Sequence, residues 1–376
     1  MRQLLPVIAA ISLIVPEPGF ACLWDYDTLA MERQRFPEAH ELIAGHFVRH
    51  SDAYYEWRIS DRTAKSVDQR TPLDFDDIAV AYDKLGQHDQ AIETIRAKIA
   101  RWPEERRYES EANLGTFHIH AGRFEEGLQH IDRAIELNPE AHFGREVYQK
   151  LLVEYVIESR RRDDQLPLDD EESYGGTGFT AFVLAAQEAK AEDRLAEIQA
   201  AAEGIMGMMR FGRHDSPILL EALGDLLLSD GFHEDSKMLA ARAYLRASYE
   251  VDDSASSTAY RQKARRALEM QIGRKTSEIE ADLKREMEQG DAFFGQIAAD
   301  ERAWIASGSD LDTEFADKYY EAPELKVAHP NWKPMKPGTT LTLVVLGGLA
   351  IVFVASASIL AIVVRSVRRR RALSPP

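Results

Sequence analysis

Two stretches of this chain carry one pattern twice, and that duplication constrains the fold more than any other feature. The first runs from Pro72 to Glu104 as PLDFDDIAVAYDKLGQHDQAIETIRAKIARWPE. The second runs from Tyr108 to Glu140 as YESEANLGTFHIHAGRFEEGLQHIDRAIELNPE, starting 36 residues later. Each reads as two amphipathic helices with a turn at Gly86 or Gly122 and a stop at Pro103 or Pro139. Glycine ends the first helix of a pair by taking a left-handed conformation at low cost, and proline cannot continue the second. Paired helices at such a period predict units that stack on one another rather than a closed bundle. Leu, Ala, Glu and Arg dominate the rest of the chain, with few β-branched runs outside the two apolar terminal segments. The expectation is an all-α protein.

These segments are similar to the tetratricopeptide repeat family. In the second copy Leu114, Gly115, Gly122, Phe124, Ile131, Ala134 and Pro139 fall at family positions, with Gly127 where alanine is usual. In the first copy Tyr82, Gly86, Ala91, Ile95 and Pro103 match, whereas Ala79 replaces the early glycine and Lys98 replaces a small residue. The resemblance implies an ectodomain built as a solenoid of helical pairs. It also implies partner binding along a concave face lined by the first helices. Carried over by position, that face comprises Asp76, Val80 and Asp83 from the first copy and Ala112, Thr116 and His120 from the second. Its acidic residues point to a protein or peptide partner of basic or amine-bearing character, bound less tightly as salt rises.

The flanks divide by composition. Residues 22–71 are expected to form N-terminal capping helices. They are dense in aromatics (Trp24, Tyr26, Phe36, Phe47, Tyr54, Tyr55, Trp57) that either shield the first repeat or form a recognition patch. Repeats should occupy 72–159, because Ala141–Ile157 reads as the first helix of a third unit. An exposed loop follows at 160–178, mixing opposed charge, proline and glycine. Divergent helical repeats are expected over 179–256, where Leu223, Gly224, Gly231, Ala240, Tyr244 and Ala247 echo the pattern. A charged helical segment at 257–305, with opposite charges three or four residues apart, reads for the most part as a solvated helix face, of which a stalk is one form. Residues 306–339 read as a proline-rich juxtamembrane linker.

Both ends point to a membrane. Residues 340–364 are 25 in number and carry no charge, followed by Arg365 and Arg368 to Arg371. A helix of that length spans roughly 37 Å, enough to cross a hydrocarbon core of about 30 Å. The arginines predict a short basic cytoplasmic tail at 365–376, leaving the rest of the chain extracytoplasmic. At the other end an apolar stretch, Leu4 to Val15, is too short to span and reads as a signal peptide over 1–21. Cleavage after Ala21 would expose Cys22, the only cysteine, as a candidate for lipidation; it leaves no intrachain disulfide and no thiolate metal cluster. The intervening ectodomain carries a net charge of about −22, which argues against nucleic acid as partner.

The histidines and nucleophiles of the sequence offer no catalytic constellation. His46 and His50 sit one helical turn apart, and their two imidazoles could ligate one zinc ion. There is no third ligand, no HExxH and no GxSxG elbow. The sequence therefore predicts a membrane-anchored interaction protein without a cofactor. Two alternatives are a metal-dependent hydrolase built on His46 and His50, and a spacer that binds copies of itself.

Overall fold

The computed structural model describes residue 33 and residues 36–139, 144–162, 165–168, 178–228, 236–269 and 275–327. The expected signal peptide, Cys22, Trp24, Tyr26, Gly231, the uncharged 340–364 segment and the basic tail lie outside the described residues. Among the described residues there are fourteen α-helices and one short 3-10 turn, with no strand. None of these helices is long and apolar enough to cross a membrane. In chain order they are α1 (Ala39–Ala44), α2 (Asp52–Ala64), α3 (Pro72–Lys84), α4 (His88–Arg101) and α5 (Arg107–His120). There follow α6 (Phe124–Leu137), α7 (Arg145–Arg162), α8 (Gly178–Ala186), α9 (Arg194–Phe211) and α10 (Pro217–Leu227). The last four are α11 (Lys237–Ala247), α12 (Ser254–Ala267), α13 (Thr276–Ser307) and α14 (Leu311–Lys318).

The duplicated segments fold into two helix pairs, α3–α4 and α5–α6, joined by turns of the same geometry. Gly86 has φ 74° and Gly122 has φ 76°, the left-handed region where a side chain is strained. In the first turn the Gln87 N–H donates to the Tyr82 carbonyl at 2.8 Å; in the second Arg123 donates to His118 at 2.8 Å. Both are the six-residue closure that satisfies carbonyls left free at a helix end. The start of α3 is set by Thr71, which exchanges hydrogen bonds with Asp74 across a capping box ahead of Pro72. Within the second pair the helices touch closely at Gly115, where a Cβ would lie 2.5 Å from Ile131 Cδ1. Helices α2 to α7 each pack on the next.

Beyond α7 the order changes. Helix α10 pairs with α11, whose Tyr244 ring fills the space left by Gly224. One large apolar core then joins α1 and α7 to α13, with Leu42, Tyr155, Phe179, Ile205, Leu223, Tyr244 and Leu283 among its members. Two acids one turn apart on α10 tie outlying backbone into it. Glu221 accepts the Leu168 N–H at 3.0 Å and the Tyr260 hydroxyl at 2.8 Å. Asp225 accepts the Phe179 N–H at 3.1 Å and the Tyr244 hydroxyl at 2.7 Å, and Lys263 lies within 3.3 Å of both acids.

The 32-residue helix α13 packs against α1, α2 and α11, so the last long helix returns to the first short ones. At this junction Glu286 accepts two hydrogen bonds from Arg242, at 2.9 and 3.1 Å. His40 Nε2 lies 2.8 Å from the same carboxylate, too far out of line for a good hydrogen bond. All three side chains are fully buried. Burial would raise the Glu286 carboxyl, but Arg242 and His40 hold it well below the usual carboxylate range. Burial outweighs Glu286 at His40 and holds that imidazole below its usual range. Four residues further along α13, Gly290 approaches so closely that a Cβ would sit 2.5 Å from the Ala44 carbonyl oxygen.

Four sequence expectations change here. The N-terminal helices divide: α2 does lie on α3, but α1 packs on α9, α11 and α13 rather than on the first repeat. Residues 257–305 do carry exposed charges, but they do not form a stalk, because α13 buries Ile279, Leu283, Glu286, Phe293 and Ile297. Its alternating charges hid a packed face, since some of the acids are themselves buried and paired. The expected linker begins as structure: Leu311, Tyr319 and Leu325 are buried, and α14 lies against α13. The loop at 160–178 is likewise anchored, with α7 reaching Arg162 and Leu168 buried.

Glu286→Ala is expected to lower stability by about 3–5 kcal/mol, because it removes the carboxylate that accepts two hydrogen bonds from the buried Arg242 guanidinium. Gly290→Ala should cost about 1–3 kcal/mol by pushing α13 from the end of α1; chemical denaturation of both variants checks these values. Stability should also fall with acid. Burial, ahead of the nearby Arg49, lowers His214 to about 3, and His40 is lowered too. The unfolded chain takes up these protons near pH 6.5 while the folded chain does not. Stability is therefore full above that pH and declines below it, by at most about 1.4 kcal/mol per pH unit for each histidine. Melting curves between pH 7.5 and 5 read the effect.

Candidate binding face and its histidine cluster

The first helices of the duplicated pairs, α3 and α5, carry the six residues singled out by sequence. Asp76 is buried, and it is already neutralised. Lys98, fully buried on α4, donates to both its oxygens at 2.6 and 2.8 Å, and Arg106 adds a bond at 2.9 Å. This explains the departure of Lys98 from the repeat pattern. At the positions 36 residues later stand Ala112 and Ala134, both buried. One copy thus fills this contact with an ion pair, and the other fills it with two methyl groups. The carboxylate of Asp76 is part of the packing and is not displayed to a partner.

Val80 is half-buried against the small core of α3 to α5. Thr116 is half-buried as well; its hydroxyl donates to the Ala112 carbonyl at 3.0 Å and accepts from Gln149 of α7 at 3.1 Å. The middle of the expected groove is therefore partly occupied by the chain itself.

Its rim is different. Asp83 lies in the last turn of α3, and one of its oxygens is 2.8 Å from His88 Nδ1. The other is 2.9 Å from Nδ1 of His120, the last residue of α5. The rings of His88 and His120 stand 5.8 Å apart and retain 28 and 34% of their side-chain exposure. Two of these residues, Asp83 and His120, were expected on one face. His88 was missed, because it joins them only through the closure of the Gly86 turn, which folds Asp83 and His88 back towards each other across five positions. Lys84 beside them points elsewhere, to the carbonyls of Phe211 and Gly212 at the end of α9. Burial holds its amine below the usual lysine range.

The pair His46 and His50 lacks the helix that would align it. Helix α1 ends at Ala44, Gly45 turns left-handed at φ 73°, and neither histidine lies in a helix. His46 is buried with its ring 5.2 Å from that of Phe293. His50 stacks on Tyr54 at 3.5 Å and its Nδ1 is 2.8 Å from the buried Glu301. Glu301 also accepts the Ser51 N–H at 2.9 Å at the start of α2. These contacts, with Tyr54 donating to Asp312 at 2.6 Å, pin the N-terminal aromatics to α13 and α14. Among the described residues the group of histidines and carboxylates placed for a metal ion is Asp83, His88 and His120, and it includes neither His46 nor His50.

Removing the Asp76 carboxylate should be more harmful than removing the whole pair. Asp76→Ala strands a fully buried ammonium and is expected to cost about 3–5 kcal/mol. Asp76→Ala combined with Lys98→Ala reproduces the alanine pair of the second copy and should recover part of that loss. A double-mutant cycle by urea denaturation measures both.

No family model, curated protein or solved structure matches this chain.

Proposed function

We propose that the chain is a membrane-anchored, extracytoplasmic adaptor whose tetratricopeptide-like helical pairs form a solenoid that binds a protein or peptide partner. The observation that carries this reading is the doubled unit itself. Two helix pairs whose lengths differ by one residue, joined by turns of the same hydrogen-bond geometry, support the resemblance read from their residues. Stacked pairs present a continuous face, and such faces serve recognition more readily than catalysis. The uncharged segment at 340–364 and the apolar leader support the membrane anchor and the extracytoplasmic side. A partner would engage the surface near Val80, Thr116 and His120. With Asp76 internally neutralised, attraction for a basic partner would come from the overall acidity of the ectodomain, which acts over a Debye length and weakens with salt.

The test is crosslinking of the full-length protein in its own membrane, followed by purification and mass spectrometry, beside a Val80→Lys variant shown by melting to be folded. The adaptor reading expects a defined partner with wild type, bound directly by the purified chain and reduced at least tenfold by Val80→Lys. Recovery of only the chain itself from both samples would contradict it and favour a self-associating spacer.

A further inference from the structure

We propose that Asp83, His88 and His120 form a binding site for a transition-metal ion, with Zn²⁺ the best-fitting occupant and water completing the coordination. This goes beyond the adaptor reading and does not rest on it. The geometry is close to what a tetrahedral ion requires. At metal–ligand distances of about 2.1 Å, neighbouring ligand atoms lie about 3.4 Å apart. Here the carboxylate is 2.8 Å from one imidazole nitrogen and 2.9 Å from the other, and all three ligand atoms fall within 4.8 Å of one another. Insertion of an ion needs the carboxylate contacts to open by about half an ångström and the imidazoles to draw together. Both rings are partly exposed and can rotate to do so.

The frame behind them is fixed. Asp83 is set in the last turn of α3, and its own carbonyl accepts the Gly86 N–H at 2.9 Å, which holds the turn carrying His88. Nearby cations do not fill the site: Lys84 reaches to α9, and Arg123 pairs with Asp89 at 2.5 Å. The donor set selects the ion. Two imidazoles and one carboxylate suit Zn²⁺ and its neighbours, whereas Ca²⁺ and Mg²⁺ prefer oxygen alone and Cu⁺ prefers sulfur. Each Nδ1 now shares hydrogen-bond distance with the carboxylate. Ligation through Nδ1 places the ring proton on Nε2, or releases one proton to solvent from an imidazolium, while Asp83 binds as the anion. Three protein ligands leave a fourth position open, at the rim of the face that the two helix pairs share.

The experiment uses the full chain in detergent, stripped with a chelator and titrated with Zn²⁺ alone by calorimetry and with Co²⁺ alone by visible absorption. One equivalent of Zn²⁺ is expected, together with intense Co²⁺ bands of low coordination number. His88→Gln and His120→Gln should each weaken binding at least tenfold, since even outer partners of a metal ligand contribute that much. Zn²⁺ should also raise the melting temperature of the wild-type chain, a readout that needs no variant to fold. Absence of stoichiometric uptake by the folded wild-type protein would overturn the proposal. So would uptake unchanged in the folded His88→Gln, His120→Gln double variant, or uptake abolished instead by His46→Gln with His50→Gln. None of these outcomes bears on partner capture, so the two readings fail separately.

Discussion

The buried carboxylate of Glu286 is the constraint on which the rest of the described structure depends. It stands where α1, α11 and α13 meet, and it is bound by Arg242 with His40 beside it. A chain of helix pairs has no intrinsic reason to fold its end back on its beginning, because each pair contacts only its neighbours. Here α13 closes against α1 and α2, and the closure is made specific by a charged group that no apolar surface could satisfy. Burying an ion pair gains little net stability over well-packed hydrophobic residues, but a misplaced register would leave both charges unpaired. The close approach at Gly290 sets the spacing of the same junction. Glu301 repeats the logic one end further along, joining α13 to Ser51 and His50 at the start of α2.

The duplicated pairs show how one fold position can be filled in two ways. Asp76 with Lys98 and Ala112 with Ala134 occupy equivalent places 36 residues apart. The first solution carries desolvation costs that hydrogen bonds must offset; the second has none, yet both pairs of helices pack. Lys98 is thus accommodated in the first pair because Asp76 on the facing helix supplies a carboxylate where the second pair has Ala112.

What the sequence made legible follows the reach of its signals. Helices, the two Gly turns and the proline stops were readable because their causes are local: periodicity of 3.6, a left-handed residue, a missing N–H. The destination of α13 was not readable, because its buried face is partly made of Glu286 and Glu301, which look solvated until Arg242, His40 and Ser51 are brought to them from far along the chain. At the candidate site Asp83 and His120 were legible as members of one face. His88 was not, since its membership depends on the exact closure of the Gly86 turn. The pairing of His46 with His50 assumed a helix that Gly45 ends.

Segment-resolved amide hydrogen exchange on the full chain tests the closure most directly. If the account holds, α1, α11 and α13 will exchange together and last, opening only with the global transition. Rapid exchange through Thr276–Ser307, with α1 and α11 still protected, would show α13 to be a solvated stalk and would contradict the account.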